Sequence, residues 1–214
     1  MNRYSRAARS LAVCLAALAG FVDAVGFIHT GGLFISFMSG NSTRLAVGLA
    51  ERAPVAWLAA QLIAGFVAGV VLGALIAAWR PARRKALVLA MVAVLLALSA
   101  ALGGLGAARW MLVPLSLAMG CANNVFQRDG DVTIGVTYMT GALVRLGQRI
   151  ADALRGGAPW DSLAYLLLWG GLVLGAVAGA LCFAQLGAAS LWIAAAMAGG
   201  LSLWAGWLQP REGR

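Results

Sequence analysis

Phe37-Met38-Ser39-Gly40-Asn41-Ser42-Thr43-Arg44-Leu45 is answered, 101 residues further on, by Tyr138-Met139-Thr140-Gly141-Ala142-Leu143-Val144-Arg145-Leu146. The aromatic, the methionine, the hydroxyl residue, the glycine, the arginine and the final leucine all keep the offset. The correspondence extends outward. Upstream, Gly20 and Asp23 answer to Gly120 and Asn123; downstream, Pro54 answers to Pro159, and Gly65, Gly69 and Gly73 to Gly171, Gly175 and Gly179. A polar motif duplicated within an apolar chain points to two related halves sharing one site, and weak internal symmetry of this kind marks many transporter folds.

The background in which the motif sits is a membrane one. Of 214 residues, 62% are hydrophobic and 11% charged, with a mean hydropathy of +0.88; a soluble domain carries about a quarter charged residues. Six apolar stretches, at about 11–28, 55–79, 86–107, 110–126, 163–185 and 188–208, reach or approach the roughly 20 residues that cross a bilayer. The expected class is an all-α polytopic membrane protein, with the lipid bilayer as its first partner. The net charge of +9 would suit nucleic acid. The sixteen basic residues, however, lie mostly between or beside the apolar stretches. They read as topology signals, and no nucleic-acid partner is expected.

Arg3, Arg6 and Arg9 before an apolar run imitate a signal peptide. Because further spans follow, an uncleaved first helix is expected. Cys14, Cys121 and Cys182 all fall in apolar segments and read as small hydrophobes. His29 is the single histidine, so no metal site is expected. The chain has no Ser/His/Asp pattern and no phosphate-binding glycine loop; neither an enzyme nor a cofactor is expected.

Two polar-interrupted segments remain, 33–50 and 132–154. If both cross the membrane there are eight spans; if both dip in and return there are six. With a cytoplasmic N-terminus, six spans put thirteen of the sixteen Lys and Arg residues inside. Eight spans put eleven inside and move the cluster Arg80, Arg83, Arg84, Lys85 outside. The positive-inside rule favours six, with both termini cytoplasmic. Three spans per half is an odd number, so the second copy is inverted. The expectation is one membrane domain in two repeats, 1–107 and 108–214, as a 3+3 inverted repeat with two re-entrant or short broken helices. Non-helical backbone at membrane depth requires protein or a wet cavity around it, which places both motifs inside the protein.

Each motif reads as an extended lead-in, a sharp turn and a half-helix starting at depth. Ser39, Asn41 and Ser42 are cap candidates in the first copy and Thr140 in the second, while Gly40 and Gly141 permit close backbone approach. A half-helix N-terminus suits an anion or a carbonyl oxygen. Arg44 and Arg145, one turn later, add a planar donor fork, or else snorkel to the interface. Asp23 is the sharpest single residue, because an acid within a span is costly and functional by default. It is expected to pair with Arg44 or Arg145 or to relay protons; its counterpart, Asn123, followed by Asn124, cannot titrate. The two glycine series give small helix faces for close packing within the chain, with a homo-oligomer as the alternative use.

Asp23-Ala24-Val25-Gly26-Phe27, Gly31-Gly32-Leu33-Phe34 and Met38-Ser39-Gly40-Asn41 resemble the first half of the YoaK family. Met119-Gly120-Cys121-Ala122-Asn123-Asn124, Tyr138-Met139-Thr140-Gly141 and Leu143-Val144-Arg145-Leu146-Gly147 resemble its second half. The family's usual Gln is Asn123 here, and its frequent Thr is Ser39. The resemblance implies a six-helix protein of the bacterial inner membrane, built on a domain of unknown function, and supplies no substrate.

The function expected from the residues is a small-solute transporter or channel with a midplane site between the two Met-Ser/Thr-Gly motifs. Asp23, Ser39, Gly40, Asn41, Arg44, Asn123, Asn124, Thr140, Gly141 and Arg145 would line it. The arginines and helix ends lean the solute toward an anion or zwitterion. The alternative is a membrane sensor or assembly protein that transports nothing.

Overall fold

A computed structural model describes residues 5–128, 131–132, 137 and 139–212. Among the described residues the regular structure is helical apart from a hairpin of two residues per strand, pairing Gln127 with Val132 and Arg128 with Asp131. The helices are α1 (Arg6–Thr30), α2 (Met38–Ala50), α3 (Val55–Trp79), α4 (Arg84–Gly104), α5 (Leu112–Ala122), α6 (Met139–Leu154), α7 (Leu163–Leu186) and α8 (Leu191–Glu212). Among the described residues, four apolar stretches are long enough to cross a membrane: Arg6–Thr30, Val55–Trp79, Pro81–Gly104 and Leu163–Leu208. The last contains both α7 and α8, joined by a tight turn at Gly187–Ser190.

The stretch expected as a span at 110–126 forms only the 11-residue α5. At 1.5 Å per residue this is about 16 Å, half a hydrocarbon core. The helix stops because Asn123 and Asn124 turn their amides onto preceding carbonyls. Asn123 Nδ2 donates to Met119 O at 3.0 Å, and Asn124 Nδ2 donates to Cys121 O at 3.3 Å and to Val70 O at 3.1 Å. Residues 123–126 nevertheless stay buried.

Close packing fixes the helix directions. A Cβ at Gly20 would strike Leu172 O and Ala176 N, and Gly175 and Gly179 lie against the backbone of Ala17 and Phe21. Contacts therefore advance together along α1 and α7, which run parallel. The same arrangement joins α5 to α3: Gly120 faces Phe66 O and Val70 N, while Gly69 and Gly73 back onto Leu117 and Cys121. Short turns make α4 antiparallel to α3 and α8 antiparallel to α7. Ser202 Oγ donates to Ala86 O at 2.8 Å, and Gly103 lies close to Ala188, so α4 and α8 are antiparallel to each other. Thus α1, α4 and α7 point one way, and α3, α5 and α8 the other.

The buried apolar core is drawn mainly from α1, α4, α5 and α8, with Leu11, Leu15, Val92, Leu96, Leu115 and Ala198 among its fully buried side chains, and α3 adds Ala59, Leu62, Phe66 and Ala77. The outer helices α3 and α7 present Val67, Val71 and Leu75, and Leu174, Val177 and Leu181, to the surroundings. Apolar flanks of this extent are stable facing lipid and costly facing water.

Candidate functional site

The site grows from the end of α1. Gly31 closes the helix in the left-handed region (φ 70), which glycine enters without penalty. Thr30 Oγ1 then donates to Gly26 O at 2.8 Å and accepts from Leu33 N at 3.0 Å. These bonds fold the chain back so that the segment Leu33–Phe37 runs alongside α1. Its N–H groups would be orphaned in an apolar setting, where each unpaired group is costly.

Asp23 satisfies two of them. Its Oδ1 accepts from Ile35 N at 2.8 Å and Ser36 N at 2.6 Å, and its Oδ2 accepts from the Ser36 hydroxyl at 2.5 Å. Asn41, fully buried on α2, clamps the same segment from the other side. Its Oδ1 accepts from Phe34 N at 2.9 Å and its Nδ2 donates to Phe34 O at 2.5 Å. Among the described residues Asp23 has no arginine partner; the expected Asp23–arginine pair is replaced by backbone donors.

The expected cap chemistry also differs. Helix α2 begins at Met38 with Phe37 as its cap residue and no side-chain cap. Ser42 and Thr43 donate back to the carbonyls of Met38 and Ser39 at 2.8 and 3.2 Å. Hydroxyls bonded to the i−4 carbonyl leave the helix N-terminus to others. Gly40 has a packing role. A Cβ there would lie 2.6 Å from the Phe37 ring, and Phe34 and Phe37 stack edge-on with centroids 5.2 Å apart.

The second half repeats the Asp23 relationship in neutral form. Asn123 is buried, and its Oδ1 accepts from the Thr137 hydroxyl at 3.0 Å. Thr137 stands two residues before Met139, as Ser36 stands two before Met38. Extending the repeated motif by one residue toward the N-terminus would have found this pair.

A cleft of about 410 Å³ joins the two halves. Asp23, Phe27, Phe34 and Phe37 line it from the first half, and Thr137 and Met139 from the second. Leu172, Ala176 and Ala180 of α7 close its side. Its wall is almost wholly apolar, with the half-buried Asp23 carboxylate as its charged group. A carboxylate offers about four lone-pair sites and three are occupied, so one direction on Oδ2 is left for a ligand. A second hollow, of about 630 Å³, gathers His29, Gln61 and Arg109 where α1 ends and α3 and α5 begin.

The other expected site residues lie elsewhere. Arg44 is exposed, with its guanidinium over Gly32. Ser39, Thr140, Gly141 and Arg145 are exposed on α2 and α6, and Asn124 is tied to α3 through Val70 O. The structure therefore brings together Asp23, Gly40 and Asn41, and separately Asn123 and Thr137. Phe27, Phe34, Phe37, Ser36 and Thr137 join the site although the sequence did not mark them as site residues.

A family profile described as "Protein of unknown function (DUF1275)" matches residues 11–204. The UPF0700 transmembrane protein RA0705 of Rhizobium meliloti (strain 1021) is 33% identical over 193 residues, covering 90% of this chain and 83% of that protein. No solved structure matches. With its apolar helices and a transmembrane relative, the chain is a multi-pass integral membrane protein.

Proposed function

The chain belongs to the DUF1275 family, and on that premise we propose that it is a small-solute transporter or channel whose site is the cleft between the two Met-Ser/Thr-Gly segments. One observation carries the reading: a single cavity lined by Asp23 from one half and by Thr137 and Met139 from the other. The opposed helix directions and the matched α1–α7 and α5–α3 packing support a 3+3 inverted repeat, 1–107 and 108–214, with α2 and α6 as short broken elements. The motif likeness to the YoaK family supports a place in the bacterial inner membrane, and the basic clusters support cytoplasmic termini.

Of the two features that lean the solute toward an anion or zwitterion, the arginines and the helix ends, Arg44 and Arg145 both lie outside the cleft. A wall of three phenylalanines and one carboxylate suits instead a small, largely apolar solute carrying one donor or cationic group. No catalysis is proposed.

The test is a thermal-shift screen of the purified protein against a solute library, followed by uptake into proteoliposomes. A stabilising solute whose effect and uptake are lost in Ala180→Phe, which fills the cleft, supports the reading. A solute indifferent to Ala180→Phe would put the site elsewhere. The second reading, a sensor or assembly protein, is favoured by the engagement of Asp23 and Asn41 with the backbone. It predicts that no solute crosses vesicles containing the protein faster than empty ones.

A further inference from the structure

A cavity of about 450 Å³ lies between the first turns of α1 and α7, lined by residues from the two helices and from the turn before α7. Its upper wall holds Arg6, Arg9 and Ser10; its lower wall is apolar, with Val13 and Leu167; Trp160 stands at the rim. Arg9 Nε is buried without a hydrogen-bond partner among the described residues. Neither arginine has an acidic partner there. Two guanidiniums thus face a hollow whose donors nothing within the described protein uses.

Position says what would use them. Helix α1 has 25 residues, about 37 Å, so its first turns lie at a membrane surface. Trp160, exposed at the same level, matches the interfacial placement of tryptophan. A ligand here must be anionic at the arginines and aliphatic one or two turns deeper. We infer that this cavity binds an anionic glycerophospholipid from the leaflet at which α1 begins. The phosphate accepts from Arg6, Arg9 and the Ser10 hydroxyl, and an acyl chain lies along Val13 and Leu167. Guanidiniums bind phosphate oxygens through paired, charge-assisted bonds. A phosphatidylcholine headgroup offers the same phosphate but brings a compensating ammonium, so net negative charge selects among lipids.

The site is separate from the Asp23 cleft and does not depend on what passes through it. The test uses the full chain in detergent, with native mass spectrometry and thermal unfolding as readouts. The probes are dioleoylphosphatidylglycerol, dioleoylphosphatidylcholine and inorganic phosphate. Phosphatidylglycerol should be retained and should stabilise the protein, with phosphatidylcholine held at least about tenfold less tightly. The double variant Arg6→Gln/Arg9→Gln should lose that preference, while Arg80→Gln, an exposed arginine at the same end of the bundle, keeps it. Leu167→Trp fills the acyl groove without touching a charge and should also expel the lipid; it keeps the test decisive if the arginine variant fails to fold. Equal retention of both lipids, unchanged retention in both variants, or displacement of phosphatidylglycerol by inorganic phosphate would overturn the inference.

Discussion

The Ser36 hydroxyl donates to Asp23 Oδ2 at 2.5 Å, joining the segment before α2 to the last third of α1. Thr137 makes the corresponding bond to Asn123 at 3.0 Å. One half of the molecule holds its motif segment with a carboxylate, the other with an amide. Asp23 takes two backbone bonds and one hydroxyl bond from its segment, whereas among the described residues Asn123 takes the Thr137 hydroxyl alone.

Asp23→Asn should fold. The amide oxygen keeps the N–H groups of Ile35 and Ser36, and the Ser36 hydroxyl can turn to accept. The expected loss is about 1–2 kcal/mol, the difference between charge-assisted and neutral bonds. Asp23→Ala strands all three donors and should cost about 3 kcal/mol or more. Unfolding of the two variants in detergent, compared with wild type, checks the order; equal losses would mean that the three bonds contribute little.

Asn41→Leu should be among the most destabilising substitutions outside the core. It keeps the bulk but leaves both Phe34 N and Phe34 O unpaired at a site with no exposure. A loss of about 2–4 kcal/mol is expected. Thermal unfolding followed by tryptophan fluorescence measures it, and a loss below about 0.5 kcal/mol would contradict the clamp.

Glycines along α7 should divide sharply. A Cβ at Gly175 meets Ala17 O, so Gly175→Ala must push α1 and α7 apart, at about 1–3 kcal/mol. Gly170 has open space around it, and Gly170→Ala should be neutral or stabilise by up to about 1 kcal/mol. Melting temperatures of the pair give the comparison directly; similar effects at both positions would refute the close α1–α7 approach.

Helix direction predicts which turns share a side. In a protein freed of Cys14, Cys121 and Cys182, and with the basic clusters cytoplasmic as proposed above, a cysteine at Ala82, between α3 and α4, should resist a membrane-impermeant maleimide in intact cells. One at Leu105, between α4 and α5, should react. Reaction at both or at neither would break the assignment of α4 as a crossing helix.

Arg44→Gln and Arg145→Gln should each change solute uptake by less than about twofold, since exposed positions away from a site usually shift energies by under 0.5 kcal/mol. A large loss in either variant would return the arginines to the site.

The long helices were legible because apolar runs between prolines and basic clusters leave little choice. The expected 55–79 matches α3, and 163–185 matches α7 to within one residue. The first helix starts earlier than the expected 11, because Ser5 accepts from Ala8 N and caps it. Helix α5 ends early because two asparagine amides terminate it, an outcome that their type permits but their position alone does not dictate. Asp23 was visible as the costly residue; its partners were not. Backbone N–H groups carry no residue signature, whereas arginines do, so a side-chain pairing was the natural expectation. The phenylalanines of the cleft look like any other apolar residues until the segment Leu33–Phe37 folds back upon α1.

The parallel union of α1 with α7 sets an order of assembly. More than 130 residues separate the end of α1 from the start of α7. At about 5–20 residues per second, synthesis leaves the face of Gly20 without its mate for roughly 7–30 s. Helices α3, α4 and α5 are complete well before that and can close upon one another while α1 waits in the bilayer. A chain halted before residue 163 would hold α1 with its closest-packing face bare, a form open to quality-control proteases. Helix α7 is thus what retains α1.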